Sequence, residues 1–140
     1  MLPSRIPSSK GCEYSSVWES AAGGGRWPIY GGTNEGFLFR LDARAGRAVN
    51  LGKPAVARGL RCLAVSKSGI VYGMTGEPEG LARLFRYSPA DGFTDLGRPV
   101  LSQKALWRGH RFSAAACGPA GAIIFGEDDT QSHLWVYDAR

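Results

Sequence analysis

The sequence predicts an all-β chain built from repeated four-stranded antiparallel units, and three observations carry that prediction. The 140 residues include 20 glycines and 8 prolines, a composition suited to many tight turns rather than long helices. No window sustains apolar residues at spacings of three and four, so no amphipathic helix is expected. Short segments also recur along the chain at intervals of about 50 residues. The length suffices for one domain with a buried core.

The recurrences are specific. Arg58-Gly59-Leu60-Arg61 returns as Arg108-Gly109-His110-Arg111. Ile70-Val71-Tyr72-Gly73 returns as Ile123-Ile124-Phe125-Gly126 and has an earlier copy, Pro28-Ile29-Tyr30-Gly31. Leu38-Phe39-Arg40-Leu41-Asp42 returns as Leu84-Phe85-Arg86-Tyr87-Ser88 and again as Leu134-Trp135-Val136-Tyr137-Asp138. Asn50-Leu51-Gly52-Lys53-Pro54 matches Asp95-Leu96-Gly97-Arg98-Pro99.

In the middle copy the elements read as four strands: A from Leu60 to Val65, B from Ile70 to Met74, C from Ala82 to Tyr87 and D from Phe93 to Leu96. A turn at Ser66–Gly69 joins A to B, and Ser88-Pro89-Ala90-Asp91-Gly92 joins C to D. Gly118–Gly121 is the matching A–B turn of the last copy. Four short strands in roughly 45 residues form the blade of a β-propeller. A lone four-stranded sheet leaves both faces wet, so neighbouring blades must cover them. The phenylalanines at 39 and 85 and the tryptophan at 135 share one strand-C position and are expected between blades.

The copies resemble those of kelch-like, lactonase-like and lyase-like bacterial propellers. The shared pattern, a G-x-[IL]-[YF]-G…HLFRYDP…G…DLG blade, is carried by Gly69 to Gly97. The resemblance extends over residues 26 to 140 and concerns the fold, because propellers host many unrelated functions. The tryptophan–aspartate dipeptide of WD40 blades is absent. About three blades are expected in an incomplete ring. Residues 1–13 form an N-terminal extension, 14–57 an irregular first blade, 58–107 a second, and 108–140 a third that lacks its last strand. The first strand A is expected near Tyr14 to Glu19, before Gly23-Gly24-Gly25. Arg5-Ile6-Pro7 is one candidate to complete the last blade. Closed rings have four to eight blades, so the chain reads as part of a larger propeller or half of an oligomeric ring.

Composition narrows the function classes. The net charge of +5 comes from scattered arginines with no run of five, which argues against nucleic acid as a partner. Cys12, Cys62 and Cys117 are odd in number and contain no C-x-x-C, so buried free thiols are expected rather than a disulfide framework or zinc site. Met1 to Lys10 has no apolar stretch of signal-peptide type, and no segment is long enough to span a membrane. The expected location is cytoplasmic as given, or secreted or periplasmic if the chain is part of a longer protein. Open sheet faces and edges imply self-association or a partner that supplies the missing blades.

No nucleophile elbow, phosphate loop, dinucleotide fingerprint or H-E-x-x-H occurs. What the resemblance implies is a rim around the central channel, where the loops entering strand A meet those joining B to C. It places Arg58, Arg61, Arg108, His110 and Arg111 there, with Asn34, Glu35, Glu77 and Glu127-Asp128-Asp129. The arginines suit an anionic small molecule or saccharide held bidentately, with Trp107 available to stack; they also suit bracing between blades. Glu127, Asp128 and Asp129 would hold a divalent cation such as calcium, or form a solvated turn. His133, which matches Arg83, reads as structural. The function expected is ligand or partner binding through the rim. One alternative is a carbohydrate-acid lyase or lactonase-type enzyme with His110 as general base. The other is a protein-interaction scaffold.

Overall fold

The computed structural model describes residues 28–76, 82–99, 111–128 and 132–139 in full, and the backbone alone of 6–7, 14–15, 18–24, 27 and 77. Thirteen strands and one turn of 3-10 helix at Pro119–Gly121 make up the described secondary structure. A small hairpin pairs β1 (Ile6–Pro7) with β2 (Tyr14–Ser15). The first blade is β3 (Trp18–Gly24), β4 (Trp27–Thr33), β5 (Leu38–Asp42) and β6 (Arg47–Gly52), in that spatial order. The second is β7 (Arg58–Val65), β8 (Val71–Glu77), β9 (Arg83–Ser88) and β10 (Gly92–Gly97). The third holds β11 (Phe112–Cys117), β12 (Ala122–Glu127) and β13 (Leu134–Asp138). All pairings are antiparallel, and the fold is that of propeller blades. Among the described residues no helix is long and apolar enough to cross a membrane.

Turn chemistry fixes the hairpins. Ser66 Oγ accepts the Ile70 N–H, and Gly69 takes φ of +85°, so the A–B turn closes where the sequence places it. The Gly118–Gly121 turn closes through the backbone, the Gly118 N–H donating to Ala122 O as the Ser66 N–H donates to Ile70 O. Each Asx-Leu-Gly at a strand-D end has a local cause. Asn50 Oδ1 accepts the Gly52 N–H at 2.8 Å, and Asp95 Oδ1 accepts the Gly97 N–H at 2.8 Å, with both glycines at positive φ. The leucine between them turns into the core.

Strand alternation sends one set of side chains to each neighbouring blade. Between the first and second blades lie Tyr30 and Leu38 from one sheet and Leu60, Val71 and Phe85 from the other. Between the second and third lie Cys62, Tyr72, Met74 and Leu84, facing Phe112, Ile123 and Phe125. The tyrosine of one strand B meets the strand-C tyrosine of the next blade each time: Tyr30 on Tyr87 at 6.2 Å and Tyr72 on Tyr137 at 5.8 Å.

Four sequence expectations change. The first strand A runs through Gly24 rather than stopping near Glu19. Ile6–Pro7 pairs with Tyr14–Ser15 and not with the last blade. The open face of the last blade is narrower than expected: Phe125 is fully buried and Trp135 packs against the same core, and among the described residues the exposed apolar side chains there are Leu134 and Val136. The fourth concerns alignment. Phe85 pairs with Gly73 while Trp135 pairs with Phe125, so Phe125, not Gly126, is the counterpart of Gly73. Likewise Leu60 pairs with Thr75 and Phe112 with Glu127, so Phe112, not His110, stands where Leu60 stands. Strand side chains alternate with period two, and a slip of one exchanges faces.

Candidate functional site

Strand A begins and strand B ends at the same end of each blade, and this end holds those candidate rim residues that are described. Arg58 pairs in register with Glu77, and Phe112 with Glu127. The innermost strands β3, β7 and β11 lie side by side. Each breaks its ladder at one equivalent position: between Trp18 and Ser20, between Leu60 and Cys62, and between Phe112 and Ala114. The residues skipped are Glu19, Arg61 and Ser113. A bulge leaves its residue out of the pairing and re-aims its side chain. Arg61 is therefore the arginine that the backbone singles out. Its side chain runs along Gly76, where an added Cβ would lie 3.3 Å from Arg61 Cγ and 3.9 Å from Nε.

A backbone bond ties the first blade to this end of the second: the Gly59 N–H donates to Asn34 O at 3.0 Å. Gly59 takes φ of +73° to make that turn. The Asn34 side-chain Oδ1 is buried and accepts no hydrogen bond among the described residues. Lys53 Nζ stands 5.2 Å from the centre of the Phe37 ring. Arg58 is exposed.

The strand-B residue opposite the last paired residue before the strand-A bulge is a buried polar group in every blade: Thr33, Thr75 and Glu127. Thr33 Oγ1 accepts the Phe37 N–H at 3.0 Å, and Thr75 Oγ1 accepts the Arg83 N–H at 3.2 Å. In the third blade the position is Glu127. It is no solvated turn: its side chain has no exposed surface, and Oε2 lies 3.0 Å from both His133 Nδ1 and Trp135 Nε1. A buried carboxylate needs donors, and these two rings supply them. The alternation Ile123, Phe125, Glu127 puts the carboxylate on the core-facing side, a signal present in the sequence.

Arg111 is exposed and pairs with Asp128 at 3.7 Å, not with Glu127. It stands at the register of Gly59, so Arg61 and Arg111 are not equivalent residues of two blades. Trp107, Arg108, His110 and Asp129 lie outside the described residues, as does Cys12. Among the described residues no three of His, Cys, Asp and Glu gather as metal ligands. His133 stands at the register of Arg83, whose guanidinium instead grips Asp95 at 2.6 Å. That hydrogen bond, aided by the Gly97 N–H, holds the Asp95 carboxyl below its ordinary range. Cys62 and Cys117 are free thiols, and burial pushes Cys62 up to about 12.

No family model and no curated protein matches the sequence. Solved structures do. The PQQ-bound aldose sugar dehydrogenase of Streptomyces coelicolor is 17% identical with a TM-score of 0.60, over 92% of this chain and 41% of that one. The extracellular domain of a one-component system from B. thetaiotaomicron is 15% identical with a TM-score of 0.59, over 93% and 17%. A streptogramin B lyase is 13% identical with a TM-score of 0.51, over 95% and 57%. The likeness is one of fold, and the chain spans less than two thirds of each of these proteins.

Proposed function

We propose that this chain binds a small anionic ligand, of carboxylated-saccharide, sulfate or phosphate type, at the end of the blades where strand A begins. The observation that carries the reading is the bulge repeated at one position of all three innermost strands, with Arg61 as the bulged residue of the middle blade. A bulge re-aims the side chain of its residue, and the planar fork of a guanidinium pairs with carboxylate or phosphate oxygens. Arg58, exposed at the start of the same strand, adds positive charge at this end. Calcium fits this reading less well, because Glu127 already serves His133 and Trp135. Titration of glucuronate, sulfate and phosphate by calorimetry tests it. Saturable binding by the wild type and its loss in Arg61→Ala, at unchanged melting temperature, are expected. Equal affinity in Arg61→Ala, or a melting drop with no anion bound by either protein, overturns it.

One contact favours a second reading, a carbohydrate-acid lyase or lactonase-type enzyme. Glu127 fixes the ring of His133, as a carboxylate orients a general base. In that case His133→Asn abolishes turnover of uronate lactones or esters while ligand affinity stays; turnover by the variant at the wild-type rate rejects the reading.

A further inference from the structure

We propose that Gly76 is the positioning residue of the anion site. With Gly59 it leaves one rung of the second blade without side chains, and Arg61 is laid across that bare rung. The proposal rests on the reading of Arg61 as the ligand-binding residue and adds what holds its side chain in place.

The rung lies one step before the bulge. In the second blade Arg58 pairs with Glu77 and Leu60 with Thr75, so Gly59 falls opposite Gly76. Residues opposite one another in an antiparallel ladder project to the same face, so two glycines clear that face together. In the third blade Phe112 pairs with Glu127, so the same rung is Arg111 opposite Asp128. There the Asp128 N–H donates to Arg111 O at 2.8 Å, and the two side chains pair at 3.7 Å. The rung that is bare in the second blade is filled by an ion pair in the third. The bulged residue changes in step. It is an arginine beside the glycine rung and a serine, Ser113, beside the filled one. A long side chain can lie over its own blade where the rung carries none.

The contact is close enough to tell one substitution from another. A Cβ on Gly76 would lie 3.3 Å from Arg61 Cγ, tighter than ordinary van der Waals contact, and 3.9 Å from Nε. Chain neighbours aside, no other atom of the described residues comes within 4 Å of it. Gly59 is also demanded by its backbone, at φ of +73°. Gly76 is not at positive φ, so what its missing side chain supplies is room. Gly73, three residues earlier, differs: its Cβ would meet Leu63 and Phe85 in the core. A methyl added at position 76 therefore displaces the Arg61 side chain and leaves the core as it is. A stem held along the strand has less rotamer freedom to lose when ligand binds, and this preorganisation raises affinity.

The test compares Gly76→Ala and Gly76→Val with Arg61→Ala and the wild type in the full chain. The first readout needs no ligand: the nuclear Overhauser effect between Gly76 Hα and the Arg61 side chain, and the Arg61 Nε–H resonance. The effect should be present in the wild type, and the resonance should move in both Gly76 variants, further with valine. The second readout is glucuronate affinity by calorimetry. It should fall about fivefold in Gly76→Ala and at least about tenfold in Gly76→Val. The melting temperature of Gly76→Ala should stay at the wild-type value, while that of Gly73→Ala falls. An Arg61 Nε–H resonance that does not move overturns the proposal whether or not glucuronate binds. So does wild-type affinity in both Gly76 variants when Arg61→Ala has lost binding, or a melting drop in Gly76→Ala as large as in Gly73→Ala. No binding by the wild type, with the Arg61 signals moving as expected, fails the anion reading and leaves the placement of Arg61 by Gly76 standing.

Discussion

The Phe85 ring lies over Gly73, its partner across the β8–β9 ladder: a Cβ on that glycine would sit 2.8 Å from two ring carbons and 2.6 Å from Leu63 Cδ2. Phe39 lies over Gly31 in the same way in the first blade. The glycine is what lets the ring lie flat against the sheet, and the ring is fully buried in both blades. Gly73→Ala therefore overpacks a filled core and should cost about 2 kcal/mol in urea unfolding. An unchanged midpoint would mean that the ring has room to move and that the blade contact is looser than described.

In the third blade the counterpart of this glycine is Phe125, and the buried polar group two residues further along strand B is glutamate where the second blade has threonine. Glu127→Ala strands the Trp135 and His133 ring nitrogens beside a void and should destabilise by about 2 kcal/mol. Glu127→Gln keeps an acceptor and should cost less than half as much. Equal costs for the two would show that the carboxylate contributes by filling volume and not by accepting hydrogen bonds.

The hairpins and most of the strands were legible because glycines and Asx turns mark them within four or five residues. The third blade was legible only up to its register. Arg108-Gly109-His110-Arg111 looks like Arg58-Gly59-Leu60-Arg61, but the ladder places Phe112 at Leu60, a slip of two residues, and Phe125 at Gly73, a slip of one. Identity of short words cannot count the residues in loops of unequal length, whereas hydrogen-bond pairing can. The bulge at Arg61 left no trace in composition, because a bulge is a property of two strands at once. Glu127-Asp128-Asp129 read as a turn by its charge, although the alternation from Ile123 through Phe125 already placed Glu127 inside.

Burial also predicts a pH response. Cys62 is raised to about 12 from an ordinary 9.0, and Tyr30 and Tyr72 are raised as well, chiefly by burial. Between pH 9 and 12 the unfolded chain gives up the Cys62 proton while the folded chain keeps it. This contribution is fully present below pH 9 and is lost as pH rises, by up to about 1.4 kcal/mol per pH unit for that one group. Urea midpoints should fall from pH 8.5 to 10.5, and the fall should be shallower in Cys62→Ala. Parallel slopes for the two proteins would remove the thiol as a cause.

Leu134 and Val136 are 75% and 68% exposed and stand at the registers of Leu84 and Arg86, on the side that the second blade turns toward the third. An exposed apolar face of this kind promotes association. The wild type should sediment faster as concentration rises into the micromolar range, and Leu134→Lys with Val136→Lys should hold the chain as a monomer. A wild-type monomer at every concentration would show that this face is not adhesive by itself.

Ligand bound at the strand-A end of the blades, around Arg61, would perturb the backbone there and not at the opposite end. Backbone amide shifts followed during a glucuronate titration test it most directly, because they report position as well as affinity. Saturable shifts are expected at Asn34–Phe37, Arg58–Cys62 and Arg111–Ser113, at the strand-A starts and the first B–C loop. Shifts clustered instead at Ser66–Gly69 and Gly118–Gly121, at the opposite end of the same blades, would contradict it, as would no shift at all.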